Sequence, residues 1–141
     1  MREEAWSEGR PFSTQAPVGR AGVDDDDRIA RAIEADGVRG IVLCHVSHVY
    51  PDGASLYFTF VAPQVAADPL GQWRRIKTAA TDAIVEGGGT VTHHHGVGLD
   101  HRGWIEREWG KSGVAAVHGL KASLDPQNVM NPGKLFPPES A

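Results

Sequence analysis

Seven histidines occur in this 141-residue chain, and three of them are consecutive: His93, His94 and His95, followed by Gly96-Val97-Gly98. Imidazole titrates near neutrality and ligates metals, so such a run supports more than one chemistry. His93 and His95 share a face of an extended segment, and His101 or His48 would complete a zinc or iron set. Neither an HExxH spacing nor an adjacent carboxylate accompanies them. In a second reading the imidazoles bind an anion and move protons, while Gly96 and Gly98 let backbone amides approach a phosphate or carboxylate. In a third they are surface or packed side chains with no task. Tyr57 has two readings as well: a β-forming residue whose ring packs, or a phenol beside imidazoles that acts as a base.

These residues need elements to place them. The run Val38 to Tyr50 is rich in β-branched residues, Pro51-Asp52-Gly53 is turn chemistry, and Ala54 to Ala62 repeats the strand character, which gives a hairpin. Alternation puts Leu56, Phe58 and Phe60 on one face and Ser55, Tyr57 and Thr59 on the other. Ile29, Ala32 and Ile33 fall at helical spacing behind the acidic run Asp24 to Asp27, and Gly37 follows the helix. Carboxylates there suit a helix start far better than a metal site. Asp68-Pro69 opens a long helix with an apolar stripe of Leu70, Trp73, Ile76, Ala80, Ala83 and Ile84, which Gly87-Gly88-Gly89 ends. Thr90-Val91-Thr92 reads as a short strand delivering the chain into the histidines. Two short helices follow, around Gly103 to Trp109 and Val114 to Ser123, and then a turn-rich tail. The order predicts an α+β fold, a small antiparallel sheet with helices on one face.

Composition narrows the function. A net charge of -4 with 14 dispersed Lys and Arg argues against a nucleic-acid partner. No apolar run reaches the roughly 18 residues a spanning helix needs, and MREEAWSEGR does not open a signal peptide. The single cysteine, Cys44, lies in an apolar run and reads as a buried reduced thiol, which points to a cytoplasmic setting. Residues 1–23, rich in Gly, Pro and Ser, read as an irregular or disordered arm, 24–136 as the working domain, and 137–141 as a tail.

Three blocks carry a family resemblance: Tyr-Pro-Asp-Gly-Ala-Ser-Leu-Tyr-Phe from Tyr50 to Phe58, Gly-Gly-Thr-Val-Thr-His-His-His-Gly-Val-Gly from Gly88 to Gly98, and Leu-Asp-Pro-Gln-Asn-Val-Met-Asn-Pro-Gly-Lys-Leu from Leu124 to Leu135. The stretch Ile41 to Leu135 resembles the C-terminal region of the alkyldihydroxyacetonephosphate synthase (alkylglycerone-phosphate synthase) branch of the FAD-linked oxidase/transferase type 4 family. The third block is shared widely among flavin-linked oxidases of 2-hydroxy acids, and the triple histidine favours the ether-lipid branch. The resemblance implies a ferredoxin-like cap domain on the substrate side of FAD. It also implies an exchange of acyl for alkyl on dihydroxyacetone phosphate, passing through an adduct on the flavin.

By the same resemblance Tyr57 matches the catalytic tyrosine, and His93, His94 and His95 match the essential histidine cluster. Asn131 and Lys134 fall in the C-terminal segment assigned to the cofactor side. The family's phosphate-holding arginine would lie upstream of the hairpin, where Arg10 and Arg20 are the candidates. A flavin-binding domain is not expected within 141 residues, so FAD is expected to be shared with another domain or subunit, and the isolated chain to be inactive. Two rival readings stay open: half of an FAD-dependent 2-hydroxy-acid oxidase, and a metal-binding module built on His93, His95 and His101.

Overall fold

The computed structural model describes residues 12–17, 23–51, 53–92 and 95–136, which divide into two compact units, Met1–Thr90 and Val91–Ala141. In the first, the chain order is β1 (Phe12–Pro17), α1 (Val23–Glu34), β2 (Ile41–Tyr50), β3 (Gly53–Val61) and α2 (Pro69–Glu86). The three strands form one antiparallel sheet in the order β1-β3-β2, with β3 in the centre. This is the α+β arrangement read from the sequence, with β1 as its third strand in place of the one expected at Thr90–Thr92. Residues 1–23, read as an irregular arm, contain β1, which pairs with β3 from Phe12↔Phe60 to Pro17↔Ser55. Nothing in the composition of FSTQAP marks a strand. Its partner supplies the order, and Pro17, which cannot donate to a ladder, is tolerated on an edge strand.

Apolar burial makes the core of this unit. Phe58 and Phe60 from β3, with Leu56 beside them, are buried together with Ile29 and Ile33 of α1 and Ile76, Ala80, Ala83 and Ile84 of α2. Leu70, assigned to the α2 stripe from its spacing, is exposed on the first turn instead. Asp68 caps α2 by accepting from the Gly71 N–H at 2.9 Å, with Pro69 at the first helical position. Buried Gln72 accepts from the Val65 N–H and donates to the Pro63 carbonyl, both at 3.0 Å, which ties the β3–α2 loop to the helix. Arg75 bridges Asp68 and Asp36 at 3.0 and 2.7 Å. The guanidinium, followed by the Gly71 amide, holds the Asp68 carboxyl below its ordinary value.

The edge strand β2 is different. Only Val42 along it is even half-buried, and Leu43, Val46 and Val49 are 58%, 55% and 78% exposed. Cys44, expected to be buried, is exposed: the apolar run is real, but no further strand lies beyond it among the described residues.

The second unit runs through one helical turn, α3 (Gly98–His101), a 3-10 turn (Arg102–Trp104) and α4 (Ile105–Leu124). Gly110, at φ 71° and ψ 165°, interrupts α4 and separates the two helices expected there. Those angles lie in a region essentially reserved for glycine. Val91, Val97 and Ile105 are its buried apolar residues among those described. Among the described residues no helix is long and apolar enough to cross a membrane.

Candidate functional site

The register of the hairpin decides which side chains meet. Counting back from the turn pair Tyr50↔Gly53, a regular ladder would set Val46 opposite Tyr57 and turn His45 toward the core opposite Phe58. The ladder is not regular. A bulge between Val46 and His48 leaves Ser47 unpaired and shifts the pairing to Val46↔Leu56 and His45↔Tyr57, while His48↔Ser55 keeps the register of the turn. Residues opposite each other in an antiparallel pair share a face, so Ser55, Tyr57, His45 and His48 all stand on the face away from Phe58. The face thus carries two hydroxyls from β3 and two imidazoles from β2.

The His45 and Tyr57 rings lie with centroids 5.0 Å apart, tilted by 33°. His48 stacks on Tyr50 at 6.4 Å and 11°, and its Nδ1 is 3.0 Å from the Ser47 hydroxyl. Tyr57 is half-buried and both imidazoles are exposed. Ser55 is fully buried, and its hydroxyl has no hydrogen-bond partner. Neither β2 nor β3 contains an Asp, Glu, Lys or Arg. Sequence reasoning placed Tyr57 on the correct face and missed its neighbours, because a spacing of three, as between His45 and His48, reads as opposite faces of a strand.

In the second unit, His93 and His94 lie outside the described residues, and His95 is exposed. Gly96 and Gly98 have φ of 74° and 62°. The segment ahead of them, Thr90–Thr92, is not the strand expected from its composition. The Val91 N–H donates to the Glu108 carboxylate at 3.0 Å, and the Thr92 hydroxyl to its other oxygen at 3.3 Å, so a side chain of α4 satisfies what a sheet neighbour would have. Glu108 is thus the carboxylate beside the histidine segment that sequence spacing did not reveal. Tyr57 belongs to the first unit and His95 to the second.

Asn131 and Lys134 bound a turn, with the Lys134 N–H donating to the Asn131 carbonyl at 3.2 Å, Pro132 second and Gly133 at φ 68° third. That is the backbone a type II turn demands, and the Arg102 guanidinium fixes it by donating to the Gly133 carbonyl at 2.6 Å. Asp125 organises the preceding loop: it accepts from the Val129 and Met130 amides at 2.8 and 2.9 Å and from Lys121 Nζ at 2.5 Å. Lys121 first, and then those amides, holds the Asp125 carboxyl below its ordinary value. The Leu124 to Leu135 block is therefore a hydrogen-bonded scaffold that presents Asn131 and Lys134 at the surface. Among the described residues no group of three His, Cys, Asp or Glu side chains converges on a metal-sized site.

Residues 26–135 match the family model of the FAD linked oxidases, C-terminal domain. The chain belongs to this family. Two alkyldihydroxyacetonephosphate synthases are similar over most of it: that of Trypanosoma brucei brucei, 37% identical over 108 residues covering 77% of this chain, and that of Caenorhabditis elegans, 38% identical over 109 residues covering 75%. Glycolate oxidase subunit GlcD of Bacillus subtilis is 44% identical over 55 residues, 39% of this chain. A solved alkyldihydroxyacetonephosphate synthase shares the fold, with a TM-score of 0.56 and 24% identity over 86% of this chain and 20% of its own. The chain thus spans about a fifth of the length of these synthases, 18% of each of the two curated ones. The family is FAD-linked. A cation and an amide on one exposed turn, Lys134 and Asn131, fit an oxyanion or ring carbonyl, whereas no glycine-rich loop opens a long helix among the described residues.

Proposed function

We propose that this chain is the substrate-side domain, residues 24–136, of an FAD-dependent alkyldihydroxyacetonephosphate synthase-like transferase, working in the cytoplasm with a flavin-binding domain or subunit and inactive without it. The observation that carries this reading is Tyr57: the centre of the sheet's polar face holds a phenol with an imidazole ring 5.0 Å away, on a strand anchored by the buried Phe58 and Phe60. Rigid support of this kind is what a proton-transferring group requires. In the proposed reaction Tyr57 exchanges a proton with the carbon next to the carbonyl of a lipid-like ketone phosphate, and His93, His94 and His95 serve the same proton traffic. Asn131 and Lys134 meet the cofactor. FAD, when bound, supplies the electron-poor ring on which the acyl-for-alkyl exchange depends.

The test is a flavin titration of the purified chain, alone and mixed with a separately produced flavin-binding domain, followed by deuterium exchange at the carbon next to the carbonyl of acyl-dihydroxyacetone phosphate. Flavin retained only in the mixture, with exchange that Tyr57→Phe abolishes, is the expected result. Absence of exchange in a flavin-loaded mixture would sink the assignment of Tyr57. The similarity to a glycolate oxidase subunit supports a second reading, half of a 2-hydroxy-acid oxidase. Turnover of D-lactate or glycolate by the mixture in place of the ketone phosphate would establish it.

A further inference from the structure

We propose that Glu108 is the positioning residue of the histidine segment: its carboxylate, reaching out of α4, takes the place of a neighbouring strand and fixes the direction in which the chain enters residues 93–95. The consequence for proton transfer rests on the reading of the histidines given above, whereas the anchoring itself rests on the geometry of the second unit.

The first reason is where the two bonds fall. Glu108 accepts from the Val91 N–H at 3.0 Å and from the Thr92 hydroxyl at 3.3 Å, one on each oxygen. These donors belong to the last two residues before His93. Two bonds on consecutive residues, each met by its own oxygen, define an orientation as well as a distance. An ionised carboxylate only accepts, and its two oxygens form a fixed fork, so it can meet both donors at once. The second reason is what holds Glu108. It lies three residues after the buried Ile105, on the same face of the helix. Two residues later the break at Gly110 separates this short arm from the rest of α4, so the buried isoleucine, rather than the long helix, sets where the carboxylate stands.

The third reason is the exit from the segment. Val91 before the histidines and Val97 after them are both buried, and Gly96 and Gly98 take φ of 74° and 62°, which other side chains resist. The run is thus bounded by glycine conformations on one side and by Glu108 on the other, and His95 is exposed between them. An imidazole that meets a guest needs this combination of an open ring and a constrained backbone.

The role is geometric rather than electrostatic, and two substitutions separate the two. A threonine hydroxyl both donates and accepts. In Glu108→Gln the side-chain oxygen keeps the Val91 N–H while the side-chain amide donates to the Thr92 hydroxyl, so both bonds persist without the charge. Glu108→Ala loses both.

The experiment compares these variants with the unsubstituted chain in two assays. In the full chain alone, amide nitrogen relaxation reads the backbone order parameter at Thr92 and His95. The expected value is about 0.85 in the unsubstituted chain and in Glu108→Gln, falling below about 0.6 in Glu108→Ala. The Val129 and Met130 amides should stay protected from exchange in both variants, which excludes general unfolding of the unit. In the flavin-loaded mixture, deuterium exchange at the carbon next to the ketone carbonyl is measured per bound flavin. Glu108→Ala is expected to lower kcat about a hundredfold, the cost of displacing a reacting group by about 1 Å, with KM within about threefold, and Glu108→Gln to bring kcat back to within about threefold. Unchanged order parameters or an undiminished kcat in Glu108→Ala would overturn the proposal, and so would a Glu108→Gln variant as impaired as Glu108→Ala, which would assign the effect to charge. The relaxation assay involves no flavin or turnover. An unsubstituted mixture without exchange therefore sinks the reading of the histidines, and the relaxation data still decide whether Glu108 anchors the segment.

Discussion

The two units of this chain are built on different physics. Met1–Thr90 is organised by burial, with two phenylalanines of β3 and four isoleucines of α1 and α2 packed out of water. Val91–Ala141 buries three apolar residues among those described, and is held by named polar bonds: Glu108 to Val91 and Thr92, Asp125 to Val129 and Met130, Arg102 to Gly133. Each such bond contributes little net stability and much geometric definition. The first unit therefore supplies stability and a rigid strand for Tyr57. The second supplies a defined surface that carries Leu120, Leu124, Val129 and Met130 exposed.

The comparison breaks most visibly at Phe58. Phe58→Ala removes a fully buried ring at the centre of the first unit, and is expected to cost about 3–5 kcal/mol, read as a lowered urea midpoint for the β3 signals. A loss below 1 kcal/mol would show that burial does not hold this unit. Gly40→Ala acts on the same core from the backbone side. A Cβ there would lie 2.8 Å from the Val61 carbonyl and 2.9 Å from Ile33 Cγ2, so the expected cost is about 1–3 kcal/mol in the same denaturation assay.

The smallest effect is local and belongs to the other unit. Asp125→Ala is expected to remove hydrogen-exchange protection from the Val129 and Met130 amides while leaving the urea midpoint of the first unit where it was. Acid should do the same to the native chain. Because the folded Asp125 carboxyl sits below its ordinary value of 3.8, its stabilisation is complete above that value and is lost as pH falls through the folded one. The Val129 and Met130 amide signals should therefore move in that acidic window and stay constant from pH 5 to 8.

Local signals in the sequence located much of this. Asp68-Pro69 and the glycines from Gly87 bracket α2, the hairpin closes at the pair Tyr50↔Gly53 where the turn was expected, alternation along β3 separates Phe58 from Tyr57, and two helices are legible across α4. What was not legible depends on a partner. β1 is a strand because β3 is beside it, Cys44 is exposed because nothing described lies beyond β2, and Val91 needs no ladder because Glu108 reaches it. The same holds at the candidate site. Tyr57 and Ser55 share a face by the alternation of β3, whereas His45 joins them through a one-residue slip at Ser47 that no local propensity encodes.

Gly110 has a mechanical consequence. An uninterrupted helix over the 20 residues of α4 would be a single rod of roughly 30 Å, and whatever fixed one end would aim the other. With the joint at Gly110 the rod becomes two levers. The short one, Ile105 to Trp109, is pinned through Glu108. The long one, Lys111 to Leu124, carries the Asp125 loop at its far end. Arg102, ahead of the joint, donates to the Gly133 carbonyl beyond it, so the angle between the two levers is held by a strut rather than by the helix itself.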